Sequence, residues 1–209
     1  MEIRYATLRD VAAVAAVEAA CFPPAEAATE AQFAERIRHY GNHFWLMFDG
    51  EKLIAFVDGF VTDEPDLTDG MYETASMHDE TGAWQMIFGV NTLPAYRRHG
   101  YAGTLIRRAV SDAKRQGRRG LVLTCKQALI PYYARFGFAD EGVSEKSTHG
   151  NVVWHQMRLS FWRRSEHRSA PDSGLSLRSP ETPAIRKFLL NLLPTGKKRD
   201  IMGGTINSP

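Results

Sequence analysis

The sequence predicts a mixed α/β domain followed by a basic tail, and three observations carry that prediction. Between Glu2 and Leu159 the apolar spacing switches repeatedly between a helical period and a strand period. Two runs, Ala83 to Val90 and Leu121 to Thr124, are apolar enough to be strands buried on both faces. Beyond Leu159 the composition shifts to Pro, Ser and basic residues. With 209 residues, 44% of them hydrophobic and 11% aromatic, the chain has material for one ordinary core. No apolar run approaches the roughly 18 residues of a spanning helix, and the seventeen glycines show no three-residue repeat.

Glu2 to Ala6 alternates like a strand. Thr7 with Asp10 is a capping-box variant, and Val11, Val14, Val17 and Cys21 then form one apolar stripe on a helix that stops before Pro23-Pro24. Thr29 heads a second helix to about Tyr40, with Phe33, Ile37 and Tyr40 on one side. Phe44 to Phe48 and Leu53 to Val61 flank Asp49-Gly50 and read as a β-hairpin, since that pair tolerates the positive φ of a tight turn. Asp63 to Gly82 is a long acidic loop, and loops of that length in a compact domain are commonly functional. After the apolar strand Ala83 to Val90 comes a basic turn, Asn91 to Gly100, and then a helix from Tyr101 to Ala113 carrying Leu105, Ile106, Ala109 and Val110. Gly117 and Gly120 close it. Leu121 to Thr124 is a strand, Ala128 to Phe136 a short helix, and Phe138 to Val143 and Val152 to Leu159 the last two strands. The expected order is β-α-α-β-β-β-α-β-α-β-β, without internal repeats.

The net charge of +2 hides an asymmetry. Nine basic residues face four acidic ones beyond Leu159, so the preceding domain is net acidic. The tail, 160–209, is expected to be mostly unstructured, with one possible short amphipathic helix over Ala184 to Leu193. It has no nucleic-acid motif and few aromatics, so no nucleic-acid partner is expected. Met1 to Tyr5 lead directly into structure without a leader pattern, which makes the cytoplasm the expected compartment. Cys21 and Cys125 lack metal-ligand spacing and read as small buried hydrophobes; no metal is expected.

The chemistry concentrates where Phe88-Gly89-Val90 runs on to Arg97-Arg98-His99-Gly100-Tyr101-Ala102-Gly103 and a helix. Backbone N–H groups, the positive helix end and Arg side chains converge there on a point suited to phosphate. A dinucleotide fingerprint would need GxGxxG directly after the strand, and a nucleotide P-loop would need Gly-Lys-Ser/Thr; neither is present. The turn instead resembles the pyrophosphate-binding turn of the GNAT superfamily of N-acetyltransferases, R/Q-x-x-G-x-G/A, through Arg97, Gly100 and Ala102. A second segment, Cys125 to Phe138, is similar to that family's Tyr-x-x-x-Gly-Phe element through Tyr133, Gly137 and Phe138. Its wording is most like the arylalkylamine (serotonin) N-acetyltransferase branch.

The resemblance covers Ile3 to about Leu159 and implies a seven-stranded, mostly antiparallel mixed sheet whose fourth and fifth strands splay apart, here between Phe88 to Thr92 and Leu121 to Cys125. It implies acetyl-CoA as co-substrate, held by Val90, Asn91 and Thr92 on the strand and by Arg97, Arg98, His99, Gly100, Tyr101, Ala102 and Gly103 in the turn. A small-molecule primary amine would attack the thioester directly, fixed N–H donors would hold the developing oxyanion, and Tyr133 would protonate the leaving thiolate. Cys125 would then need no catalytic role. A catalytically idle acyl-CoA-binding module of the same fold is the alternative. One departure stands out: Met86 and Phe88 occupy the positions where the serotonin-type enzymes carry a histidine pair. Water, His43, or the loop residues His78, Asp79 and Glu80 are then the candidates to receive the amine's proton, unless those side chains are simply solvated surface; the other alternative is an acceptor amine that is intrinsically less basic. The acceptor pocket is expected to be formed by Phe22 to Ala31, Asp63 to Gly82 and the last two strands.

Overall fold

The computed structural model describes residues 1–23, 27–148 and 152–161. The expected tail and its Ala184 to Leu193 helix lie outside these residues. The chain runs β1 (Glu2–Tyr5), α1 (Val11–Cys21), α2 (Glu30–Tyr40), β2 (Phe44–Asp49), β3 (Lys52–Asp58), β4 (Val61–Thr62), α3 (Asp69–Glu73), β5 (Trp84–Ile87), β6 (Gly89–Thr92), α4 (Tyr101–Arg115), β7 (Gly120–Cys125), α5 (Ile130–Ala134), β8 (Ala139–Val143) and β9 (His155–Ser160). Both caps form as expected. The Thr7 N–H donates to Asp10 Oδ2 at 2.8 Å ahead of α1, and at α2 the Thr29 N–H donates to Gln32 Oε1 at 2.8 Å. Gly50, at φ 59°, turns the β2–β3 hairpin.

The expected single seven-stranded sheet is two sheets. One has the order β1-β2-β3-β6, and the other β4-β5-β7-β9-β8. Both extra strands arise from breaks inside runs that the sequence shows as continuous. Leu53 to Val61 divides at Gly59, where a Cβ would lie 1.8 Å from the Met86 carbonyl oxygen, so only a glycine lets the chain cross there. Ala83 to Val90 divides at Phe88. Trp84 to Ile87 pair in parallel with Gly120 to Leu123, whereas Gly89 to Thr92 pair antiparallel with Ala55 to Asp58 in the other sheet. An apolar run reports burial on both faces and says nothing of which neighbour each half pairs with. The basic turn therefore begins after Thr92, and the acidic loop holds α3 and a 3-10 turn, Ala75–Met77. The helix expected over Ala128 to Phe136 is a 3-10 turn, Gln127–Leu129, followed by α5.

Helices cover both faces. Phe44, Leu46 and Phe48 alternate toward α1 and α2, packing with Val14, Val17, Phe33, Ile37 and Tyr40. Trp45 and Met47 face the other way, with Leu105, Ile106, Ala109 and Ala113 of α4. The Trp45 indole N–H donates to the buried Asp112 on α4 at 2.8 Å, and the Tyr5 hydroxyl donates to the same carboxylate at 2.9 Å. Burial pushes the Asp112 carboxyl upward, but the hydrogen bonds of Trp45, Tyr5, Arg115 and Arg108 outweigh it and hold the group below its ordinary value.

Candidate active site

The strand switch at Phe88 creates the site. Up to Ile87↔Leu123 the two parallel strands are paired; one residue later the chain has left for the other sheet. The gap opens between Phe88–Val90 and Leu123–Cys125, where the sequence placed the splay. It widens into a cleft of about 490 Å³, within the usual range for small-molecule sites. Its walls include Cys21, Phe22, Pro23, Ala27 and Ala28 after α1, Tyr72 and Glu73 of α3, and Tyr133 of α5. Of the expected Phe22 to Ala31 and Asp63 to Gly82 regions, Phe22, Pro23, Ala27 and Ala28 and the α3 residues Asp69, Tyr72 and Glu73 line the cleft. Of the region of the last two strands, Trp154, just before β9, lines the cleft.

The turn residues gather at the N-terminus of α4. Gly100 is the N-cap, at φ 83°, with no side chain capping the helix, and Arg98 also has a positive φ, 68°. Arg97, Arg98, His99 and Gly100 are exposed, around the N–H groups that open the helix. The Arg97 Nε–H donates to the Thr92 carbonyl at 3.2 Å, which ties the turn to the end of β6. The His99 ring stacks on Tyr101 with centroids 5.6 Å apart. Gly103 faces the Phe136 ring, which a Cβ would meet at 3.1 Å, so α4 and the segment after α5 approach closely. These features fit a pyrophosphate: N–H groups of the first α4 turn without a side-chain cap, two arginines beside them, and open space at Gly100. Val90 lines the cleft, while Asn91 and Thr92 lie further along β6, an edge strand of its sheet.

Tyr133 is 7% exposed and lines the cleft beside Cys125. Burial, and then the Cys125 thiol, push its hydroxyl above the ordinary value, so it holds its proton at neutral pH. Cys125 is buried and its thiol is pushed up to about 11, the behaviour of a packed sulfur and not of a nucleophile. Cys21 is only half-buried, and its thiol donates to the Thr92 carbonyl at 3.3 Å.

The residues named as proton acceptors lie elsewhere. His43, His78, Asp79 and Glu80 are not among the residues lining the cleft. Two of them are not surface groups either: His43 is fully buried, its Nδ1 2.7 Å from Gln85 Oε1, and the His78 side chain is only 10% exposed. His43, His78 and Glu80 bring metal-ligand atoms within 4.8 Å of one another. The hydrogen bonds oppose coordination, however. His78 Nδ1 accepts the Val61 N–H at 3.1 Å, which leaves the ring proton on the Nε2 that faces Glu80, and Arg118 already pairs with Glu80 at 2.7 Å.

Sequence spacing missed a buried ionic group on the cleft wall. Glu18 of α1, Arg36 of α2 and Asp58 of β3 are 8%, 7% and 1% exposed, and all three line the cleft. Arg36 donates to the Tyr72 carbonyl at 2.7 Å and lies 3.7 Å from Asp58 Oδ2. Burial raises the Glu18 carboxyl and pushes Asp58 up to about 7. In sequence Glu18 is a lone charge on an apolar helix, Arg36 one of several charges on α2 and Asp58 the end of a strand, and only the register Asp58↔Gly89 brings Asp58 to the strand switch.

A model of the acetyltransferase (GNAT) family matches residues 11–138. Solved structures share the fold. A GNAT-like decarboxylase, GphF, in complex with isobutyryl-CoA superposes with a TM-score of 0.63 at 18% identity, over 77% of this chain and 99% of its own. A ribosomal-protein alanine N-acetyltransferase from Escherichia coli gives 0.58 at 18% identity, over 79% and 97%. A GNAT family acetyltransferase from Brucella melitensis in complex with acetyl-CoA gives 0.50 at 19% identity, over 78% and 88%.

Proposed function

The chain belongs to the acetyltransferase (GNAT) family, and we propose that it transfers the acetyl group of acetyl-CoA directly to a primary amine of a small molecule. The observation that carries this reading is the cleft at the strand switch, which has Tyr133 on its wall and the uncapped start of α4 within reach of the same strand. Two solved relatives hold acyl-CoA ligands, isobutyryl-CoA and acetyl-CoA, which supports the choice of donor. Acetyl-CoA supplies an activated thioester carbonyl. The N–H groups of Tyr101, Ala102 and Gly103, with Arg97, Arg98 and His99 around them, would bind the pyrophosphate. The free edge of β6 from Val90 to Thr92 would align the donor's arm along the gap. Tyr133 would hold a proton where the sulfur departs, and the half-buried apolar residues Phe22, Phe88 and Val90 would exclude water from the reacting groups.

The likeness of the Cys125 to Phe138 segment to the arylalkylamine branch concerns the leaving-group side of the reaction. The acceptor is therefore proposed by class: an amine small enough for the cleft. Calorimetry with acetyl-CoA, followed by free-thiol release over a panel of small amines and short peptides, tests the reading. Saturable binding with thiol release on a small amine supports it. Release on peptides alone would move the acceptor to a protein N-terminus, and binding without release would leave an acyl-CoA-binding module.

A further inference from the structure

Direct transfer needs a neutral amine, and an alkylamine is an ammonium ion at neutral pH, with a free pKa of about 10. Something in the cleft must draw that ion in and remove its proton. Among the described residues the cleft is lined by Glu18, Asp58, Asp69 and Glu73 against Arg36 and Lys126, an acidic excess suited to a cation.

The inner wall is also incompletely bonded. Asp58 Oδ2 and Arg36 Nε are buried without a hydrogen-bond partner, and the buried Asn91 side chain faces Glu18 beside them. Buried polar atoms are nearly always paired with protein, water or ligand, so two such atoms on the cleft wall mark a spot built to receive a polar group. They converge at the strand switch. A Cβ on Gly89 would lie 2.4 Å from Asp58 Oδ1 and 2.9 Å from Asn91 Nδ2, so glycine at 89 leaves these two side chains the space beside the strand. Glu18 approaches from α1, its Oε1 accepting the Ala28 N–H at 3.4 Å.

We propose that Glu18 and Asp58 form the acceptor's ammonium site and that Asp58 is the base that takes its proton. The proposal rests on the acetyl-transfer reading above. Two carboxylates and one guanidinium leave one uncompensated negative charge in a buried wall, which either a proton or an ammonium neutralises. The groups facing Asp58 are Glu18 from α1, Arg36 and Tyr40 from α2, and Tyr72 from α3. An entering ammonium displaces the proton that otherwise neutralises this wall, and then hands one of its own to the ionised Asp58. The freed lone pair bonds the thioester carbonyl carbon, the C–S bond breaks, and its electron pair leaves on sulfur, which takes the Tyr133 proton. The second nitrogen proton returns to the Tyr133 oxygen through water, and Asp58 releases its proton to solvent as product leaves.

The test uses ethylamine and trifluoroethylamine, an amine of similar size that is neutral at the same pH, with carboxyl-carbon NMR as a readout independent of turnover. In the parent, one aspartate carboxyl should titrate near about 7, its midpoint should fall when ethylammonium is added, and the resonance should vanish in Asp58→Asn. Asp58→Asn should lose about 100-fold or more in kcat/KM for ethylamine, yet stay within about threefold of the parent for trifluoroethylamine, with acetyl-CoA affinity retained. Glu18→Gln should weaken ethylammonium binding and lower the Asp58 midpoint. Should Asp58→Asn fail to fold, the parent and Glu18→Gln titrations decide. An Asp58 carboxyl titrating at the ordinary value near 3.9, or equal losses with both amines, overturns the proposal. So does a parent that binds acetyl-CoA but releases no thiol with ethylamine, whereas a parent that binds no acetyl-CoA removes the transfer reading itself.

Discussion

Tyr133→Phe separates chemistry from packing, because it keeps the ring against Phe138 and Tyr132 and deletes only the hydroxyl. If Tyr133 protonates the departing sulfur, kcat should fall by about 100-fold or more with little change in Tm or acetyl-CoA affinity. Parental turnover with every accepted amine would leave water as the acid. Asp58 makes a second forecast, for stability. Its folded value of about 7 lies above the unfolded value of about 3.9, so the folded state holds the extra proton between them. Its contribution is greatest below the unfolded value and is lost as pH rises through about 7. The stability of the parent relative to Asp58→Asn, from denaturant titrations at several pH values, should therefore decline between about pH 4 and 7. The comparison is needed because Asp10, Asp66 and Asp112, held below their ordinary values, act in the opposite sense at lower pH. A pH-independent difference would show that Asp58 ionises as it does in the unfolded chain.

At the scale of elements, the first turn of α4 is the proposed donor site. Gly100→Glu should abolish acetyl-CoA binding, measured by calorimetry, because it puts a negative charge where the helix presents N–H groups. The fold should survive: a Cβ there meets nothing within 4 Å, and the positive φ costs only about 1–2 kcal/mol. Unchanged affinity in the folded variant would place the site elsewhere. This element was legible in the sequence, since a strand, a basic turn and a helix start leave a local signature. The capped helices and the β2–β3 hairpin were legible for the same reason. The divisions at Gly59 and Phe88 were not, because strand pairing is decided by residues distant in the chain, Leu123 for Ile87 and Asp58 for Gly89. The Glu18, Arg36 and Asp58 group was hidden likewise: each residue is ordinary in its own segment, and only tertiary register assembles them. His43 and His78 show the converse, polar residues that look like surface in sequence but are packed against one another and among the side chains of Tyr40, Trp45 and Phe60.

At the scale of the molecule, the last strand runs slightly beyond Leu159. β9 continues to Ser160 opposite Gly120, and the Phe161 N–H donates to the Arg119 carbonyl at 2.8 Å. Removal of residues 166–209 should leave acetyl-CoA binding and turnover within about twofold and Tm within a few degrees. A large drop in either, measured by calorimetry and thermal melting, would make those residues part of the working domain. The strand switch has a wider consequence for how this chain folds. Residues 84–92 complete both sheets, the first half closing one against β7 and the second half closing the other against β3. Neither sheet can be finished while this shared segment is unplaced, and placing it commits both. Two sheets that could have been separate folding units are thereby joined into one cooperative unit, and both apolar clusters draw residues from each of them. The nine-residue segment is also drawn from distant partners, which puts its docking late, after the local helices and hairpin. The gap at Phe88 therefore forms only when that segment docks, as part of the cooperative step that completes both sheets.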